Sequence, residues 1–218
     1  MKVVTLALVL LALAACGVTE TGNPVDASVE LRARTSDPAL VEVQGPAGVL
    51  SVDTALLAID RLRLVHAEVC DTPPETEVDV DGPLVRDAAD PLPIEVELPS
   101  ATYCRARLRL EPAPSGPAEL VGHTLALSGV LPDGTPWLFR STRDYDIDVR
   151  PPAPLPIDEL GSTLQVAFDM AVLLDGIDLA GAVVGPDGIR IEPGANDALR
   201  EALEVRLDSA FELLDAED

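Results

Sequence analysis

Lysine is almost missing from this sequence: Lys2 is the only one, and the rest of its 15 basic side chains are arginines. Without an ε-amine in the body of the chain there can be no lysine Schiff base, no covalently held pyridoxal phosphate and no P-loop lysine. Aromatics are also scarce, with one Trp, two Tyr and three Phe. That leaves little for a sugar-stacking platform, gives Trp137 to the core or a hairpin, and leaves the core to Leu, Val, Ile and Ala. The two histidines, His66 and His123, have no HxH or HxxxH spacing that would bring both to one metal. A serine hydrolase would need one of them to meet a Ser and an Asp in space. No GxSxG elbow occurs: around Ser128 its glycine positions hold Ala126 and Val130. Nothing singles out a carboxylate pair for glycoside hydrolysis among the 38 acids.

Basic charge is the third shortage. Set against 38 Asp and Glu, the 15 basic residues leave a formal charge of −23. Such a field repels nucleic acid and anionic headgroups and favours solubility, so a nucleic-acid partner is excluded. The hydrophobic fraction of 47% is patterned, which favours a packed core over an acidic disordered chain.

Long apolar runs are lacking too, with one exception. Val3 to Ala15 is interrupted only by Thr5 and follows a minimal positive start, Met1-Lys2. It has the length of a secretory leader core and is too short to span a bilayer. It ends in Leu13-Ala14-Ala15-Cys16, which resembles the lipobox of bacterial lipoproteins. The resemblance implies cleavage before Cys16, a diacylglycerol on its thiol and an acyl chain on its new amino group. At about 0.8 kcal/mol per buried methylene, three such chains anchor effectively permanently. The alternative is an ordinary secreted protein cleaved after Ala15, with Cys16 free. Gly17 stands where many bacteria place an Asp to retain a lipoprotein in the inner membrane, so the resemblance points to the outer membrane.

Two cysteines remain, Cys70 and Cys104. Export would place them in an oxidising compartment, where an even pair reads as a disulfide. Closing a loop of about 35 residues contributes roughly 3.5–4 kcal/mol in the chain-entropy model. Two free buried thiols are the alternative. A metal site would need a second pair of ligands, which the spacing does not offer.

Along the chain, residues 16–27 read as the lipidated cysteine and a flexible tether, and residues 28–150 as a β-sandwich domain. Val29, Leu31 and Ala33 alternate with charged residues from Ser28 to Arg34, the period of a half-buried strand. Val49 to Val69 holds two strands or one bent one, with a parity slip that a bulge at Asp60-Arg61 would explain. Ile94, Val96 and Leu98 face inward, as do Cys104, Ala106, Leu108 and Leu110. This predicts a hairpin with Glu95 and Glu97 opposite Arg105, Arg107 and Arg109 on its solvated face. An anion site on that arginine ladder is the other reading. Pro132-Asp133-Gly134 marks a second hairpin, between Thr124–Leu131 and Trp137–Thr142. Asp144, Asp146 and Asp148 alternate with Tyr145, Ile147 and Val149 in an edge or one-faced strand.

Residues 151–218 open with the stiff Pro151–Pro156 connection, a crossover between sheets or a domain boundary. Strands are expected at Thr163–Phe168 and Ile189–Ile191, while Ala171–Leu179 is ambiguous. Leu199, Leu203, Leu207, Phe211 and Leu214 recur at helical spacing, with Asn196 or Asp197 as N-cap. The fold class is therefore mainly β: an antiparallel β-sandwich, Ig-like or prealbumin-like, with a C-terminal amphipathic helix packed on it.

The Cys16–Pro24 opening, LPSATYCRARLRL, LSGVLPDGTPWLF and FDMAVLLDGIDL together resemble uncharacterised predicted lipoproteins of myxobacterial type. That resemblance implies an extended β-sandwich and supplies no catalytic residues. Two acidic stretches are calcium candidates: Asp79 with Asp81, and Asp144, Asp146 and Asp148, where side chains two apart share a strand face. An EF-hand starting at Glu77 would need its bidentate glutamate at Ala88, so that form of site fails. The expected function is a membrane-anchored envelope lipoprotein acting as a non-enzymatic structural or interaction module, with an envelope protein as partner. It needs no cofactor beyond the acyl chains. A calcium-dependent binding or adhesion domain and an envelope hydrolase are the alternatives.

Overall fold

Short stretches of alternating apolar and polar residues form strands along much of this chain, and the strands sort into two sheets. The computed structural model describes residues 24–34, 42–46, 48–158 and 162–215. The expected leader, Cys16 and most of the expected tether lie outside the described residues. In chain order the strands are β1 (Pro24–Arg34), β2 (Glu42–Gly45), β3 (Gly48–His66), β4 (Thr76–Asp87), β5 (Ile94–Pro99), β6 (Ala101–Leu110) and β7 (Leu125–Val130). They continue with β8 (Pro136–Ser141), β9 (Tyr145–Val149), β10 (Leu155–Ile157), β11 (Thr163–Asp169), β12 (Val184–Gly185), β13 (Gly188–Ile191) and β14 (Phe211–Asp215). Two short α-helices, α1 (Met170–Leu174) and α2 (Asp197–Arg206), and two 3-10 turns complete the order.

The smaller sheet runs β14-β11-β1-β5, and the larger β10-β6-β3-β7-β8-β13-β12, with β2 and β4 on β3 and β9 on β6. Leu31 and Val166 of the smaller sheet share one apolar cluster with Leu57, Leu64, Leu108 and Phe139 of the larger. The expected all-antiparallel order is corrected at two places: β1 pairs in parallel with β11, and β8 with β13. Parallel neighbours need a long crossover rather than a tight turn, and alternation within a strand carries no record of it. β1 also begins at Pro24, inside the expected tether, because Pro24 through Val29 ladder onto β5.

β3 is the spine. It is one strand of 19 residues, with β2 and β4 along one side and β7 and β6 along the other. Its register shifts between Ile59 and Arg61 against both β4 and β6, the bulge that the parity slip implied. Before the bulge Leu57 and Ile59 face the main core; after it Leu62 and Leu64 do. The opposite face before the bulge is buried as well: Leu56 and Ala58 form a second small cluster with Ala113, Leu120 and Ala126. β4 meets the bulge at Gly82, where a β-carbon would stand 2.2 Å from the Ile59 carbonyl oxygen, so only glycine permits this approach.

The expected hairpin between residues 94–98 and 104–110 is a correction. β5 pairs with β1 in the smaller sheet while β6 pairs with β3 in the larger, so the chain crosses the core at Pro99-Ser100. Tyr103 Oη donates to the Pro99 carbonyl at 3.0 Å and Ser100 Oγ to that of Ile157 at 3.1 Å, which fixes the corner. Ile94, Leu98, Ala106, Leu108 and Leu110 join the core cluster as alternation predicts, whereas the register of β6 slips at Cys104 and Tyr103 takes the core position there. Glu95 and Glu97 do not lie opposite the arginines of β6. The Pro132-Asp133-Gly134 hairpin joins β7 to β8 as expected, and β9 and β10 run along one edge of β6 on either side of the proline-rich stretch.

The C-terminal helix is shorter than its apolar spacing predicts. α2 ends at Arg206, a 3-10 turn covers Leu207–Ala210, and Phe211 and Leu214 belong to β14, which pairs with β11. Leu213, not Leu214, is the fully buried residue there, so the period is two. Asn196 occupies the N-cap position with a left-handed backbone, but its side chain bonds Val183 and the Arg190 carbonyl instead of capping.

Candidate functional site

The bulge in β3 turns Arg61 and Arg63 outward, and Arg105, Arg107 and Arg109 of β6 project from the same face. Strand register then lays the charges out in rows. Asp79 of β4, Arg63, Arg107 and Asp148 of β9 stand side by side, and so do Asp81, Arg61, Arg109 and Asp146. Two inner columns of arginine are thus enclosed by two outer columns of carboxylate. Arg63 holds Asp79 through two hydrogen bonds, at 2.7 and 3.0 Å, and reaches Glu77 at 2.8 Å. Arg107 spans Glu77 and Asp148, each at 3.2 Å, and Arg61 meets Asp81 at 3.3 Å. Arg109 pairs with Glu111 at 2.5 Å, and Arg105 with Glu75.

Hydrogen bonding to Arg63 lowers the Asp79 pKa below the ordinary carboxylate range and raises that of Arg63. A depression of 330 Å³ lies between the rows, lined by Arg61, Arg63, Arg107, Arg109, Asp146 and Asp148. Its arginines already face carboxylates, and Glu75, Glu77, Asp60 and Glu111 add further negative charge around it. The positive charge of this face is thus largely neutralised from within by carboxylates of the neighbouring strands.

The calcium candidates fall on this face. Asp79, Asp81 and Asp148 are each held by an arginine, and Asp146 stands opposite Arg109 in register. Asp144 lies just before β9 and is exposed, as Asp146 and Asp148 are on the strand itself. Among the described residues no group of three or more His, Cys, Asp and Glu converges on a point where a metal could sit.

Cys70, in the loop after β3, is bridged to Cys104 of β6 across a separation of 34 residues. The bond joins the 67–75 loop to the sheet near the Pro99-Ser100 corner. His66 ends β3 beside it, buried against the Tyr103 ring at 5.3 Å, with Nε2 unpartnered. Burial lowers its pKa and raises that of Tyr103. His123 lies in the loop before β7, where a ring nitrogen meets the Val121 carbonyl at 3.0 Å. The two histidines are on different elements, and among the described residues neither is bonded to a serine or an aspartate.

One buried polar group was not legible in the sequence. Glu204 of α2 is only 8% exposed. Ser141 Oγ donates to its Oε1 at 2.8 Å and Arg200 to its Oε2 at 2.8 Å. With its proton engaged, Ser141 accepts from Tyr145 Oη at 2.8 Å. Burial pushes the Tyr145 hydroxyl up to about 12. The group bolts α2 to β8 and β9. Glu204 sits in a helix rich in charge, and nothing in its neighbours distinguishes it from the exposed Glu201.

No protein-family model matches this chain, and neither a curated protein nor a solved structure does. No helix among the described residues is long and apolar enough to cross a membrane.

Proposed function

We propose that this chain is a lipid-anchored protein of the bacterial cell envelope, held at Cys16 and displaying a β-rich interaction domain. One observation carries the reading: the apolar run Val3–Ala15, too short to span a bilayer, ends in Leu13-Ala14-Ala15-Cys16. The Cys70–Cys104 disulfide supports it, because such bonds persist in exported proteins and are rare in the cytosol. Gly17 supports the outer membrane as destination.

The two sheets, which share one apolar cluster, are read as the layers of a sandwich. The domain acts by binding another envelope protein and not by catalysis. Its charged face is neutralised from within, and its buried Ser141–Glu204 pair anchors a helix. Metabolic labelling with a palmitate analogue tests the anchor: the parent chain takes up label and Cys16→Ser does not. Equal localisation and processing of the two would contradict it. Crosslinking in the native envelope then identifies the partner.

A further inference from the structure

If Cys16 carries the lipid, the short stretch before β1 limits how far the Pro24 end of the domain can stand from the membrane. Only eight residue steps separate Cys16 from Pro24, the first residue of β1. Fully extended, they reach at most about 29 Å. Register fixes what surrounds Pro24. Pro24 is paired with Pro99 at the sheet-crossing corner. The Ala67 amide bonds the Thr102 carbonyl just beyond that corner, and Cys70 is bridged to Cys104. The 67–75 loop therefore lies at the Pro24 pole. The other end of β1 is tied elsewhere: Ala33 bonds Ala88, and Ala88 bonds Ala55 of β3. Val52 and its neighbours Gly129 and Trp137 lie beyond Ala55, at the far pole. At about 3.3 Å per residue, β1 alone separates the two poles by roughly 33 Å.

We propose that the disulfide-bearing pole, led by the 67–75 loop, rests against a phospholipid surface while the pole bearing Trp137 faces away. This rests on lipidation at Cys16. The loop's chemistry fits apposition without insertion. Val69 is 61% exposed beside exposed Pro73 and Pro74, while Glu68 and Asp71 on the same loop resist burial in hydrocarbon. Asp71 is partly neutralised by Arg150 at 2.6 Å. The mature chain's strong negative charge opposes laying its acidic flanks on an anionic surface.

Because Trp137 is the sole tryptophan, the test needs few changes. The full-length lipidated protein is reconstituted in phosphatidylcholine vesicles carrying a dansyl-headgroup lipid, and energy transfer from tryptophan is measured. Transfer from Trp137 in the parent is expected to be several-fold weaker than from V69W in a W137F background. Lengthening the segment between Cys16 and Pro24 with glycine and serine is expected to weaken transfer from the V69W position. The same comparison can be made without W137F, by subtracting the parent signal from that of V69W alone, should the core substitution unfold the domain. Flotation with the vesicles but equal or stronger transfer from Trp137 overturns the orientation alone. Failure of the parent to float with the vesicles overturns the lipid anchor, and the orientation with it.

Discussion

Phe211 lies face to face with Phe168, their ring centroids 4.5 Å apart and their planes within 1°. The pair closes the last strand onto β11 and explains why the chain abandons its helix after Arg206. Once Phe211 is fixed on that ring, Leu213 falls on the same buried face and Leu214 does not. Replacing Phe211 by Ala is expected to destabilise the domain by about 3–5 kcal/mol in urea unfolding, and Leu213→Ala by about 2–5 kcal/mol. Leu214→Ala should cost clearly less than Leu213→Ala. The reverse order would restore the helix that the leucine spacing suggests.

That spacing shows where the sequence speaks and where it falls silent. Leu199, Leu203, Leu207 and Phe211 are four apart, but Phe211 and Leu213 also satisfy a period of two, and only the partner strand decides between them. The bulge at Ile59–Arg61 was legible because a slip of one residue reverses which side chains are apolar. The β7–β8 turn was legible because Asp133-Gly134 is turn chemistry. By contrast, the alternation in β5 and β6 named their inward faces but not their sheets. The β1–β11 pairing joins Ser28 to Thr163, far apart in the chain, and no local pattern records it. The charged face was half legible: the arginines of β6 were visible as a ladder, whereas their carboxylate partners come from β4 and β9.

The disulfide should be a main support of the Pro24 pole. Reduction, or Cys70→Ser with Cys104→Ser, is expected to lower the unfolding free energy by about 3.5–4 kcal/mol, from the loop that the bond closes. Urea titrations with and without reductant measure it. No difference would mean that the thiols are unbridged in the native protein.

His66 makes stability depend on mild acid. The unfolded side chain titrates near 6.5, while burial lowers the folded value. Between the two, the unfolded state holds a proton that the folded state refuses, so stability is fully present above pH 6.5 and declines as pH falls below it. His66→Phe is expected to flatten that part of the profile relative to the parent. Parallel profiles for parent and variant would contradict the buried, unpartnered ring.

Calcium should leave the domain unmoved. Asp79, Asp81 and Asp148 already face Arg63, Arg61 and Arg107, so a cation would have to displace an arginine from each. Thermal melts in calcium and in chelator are expected to superimpose. A higher melting temperature in calcium that Asp79→Asn abolishes would show a site on the charged face after all.

The anchor is tested most directly by the intact mass of the mature N-terminal peptide from membranes. The account predicts a peptide that begins at Cys16, carries a thioether-linked diacylglycerol and bears an acyl chain on its amino group. A peptide beginning at Cys16 with a free thiol, or one still beginning at Met1, would contradict it.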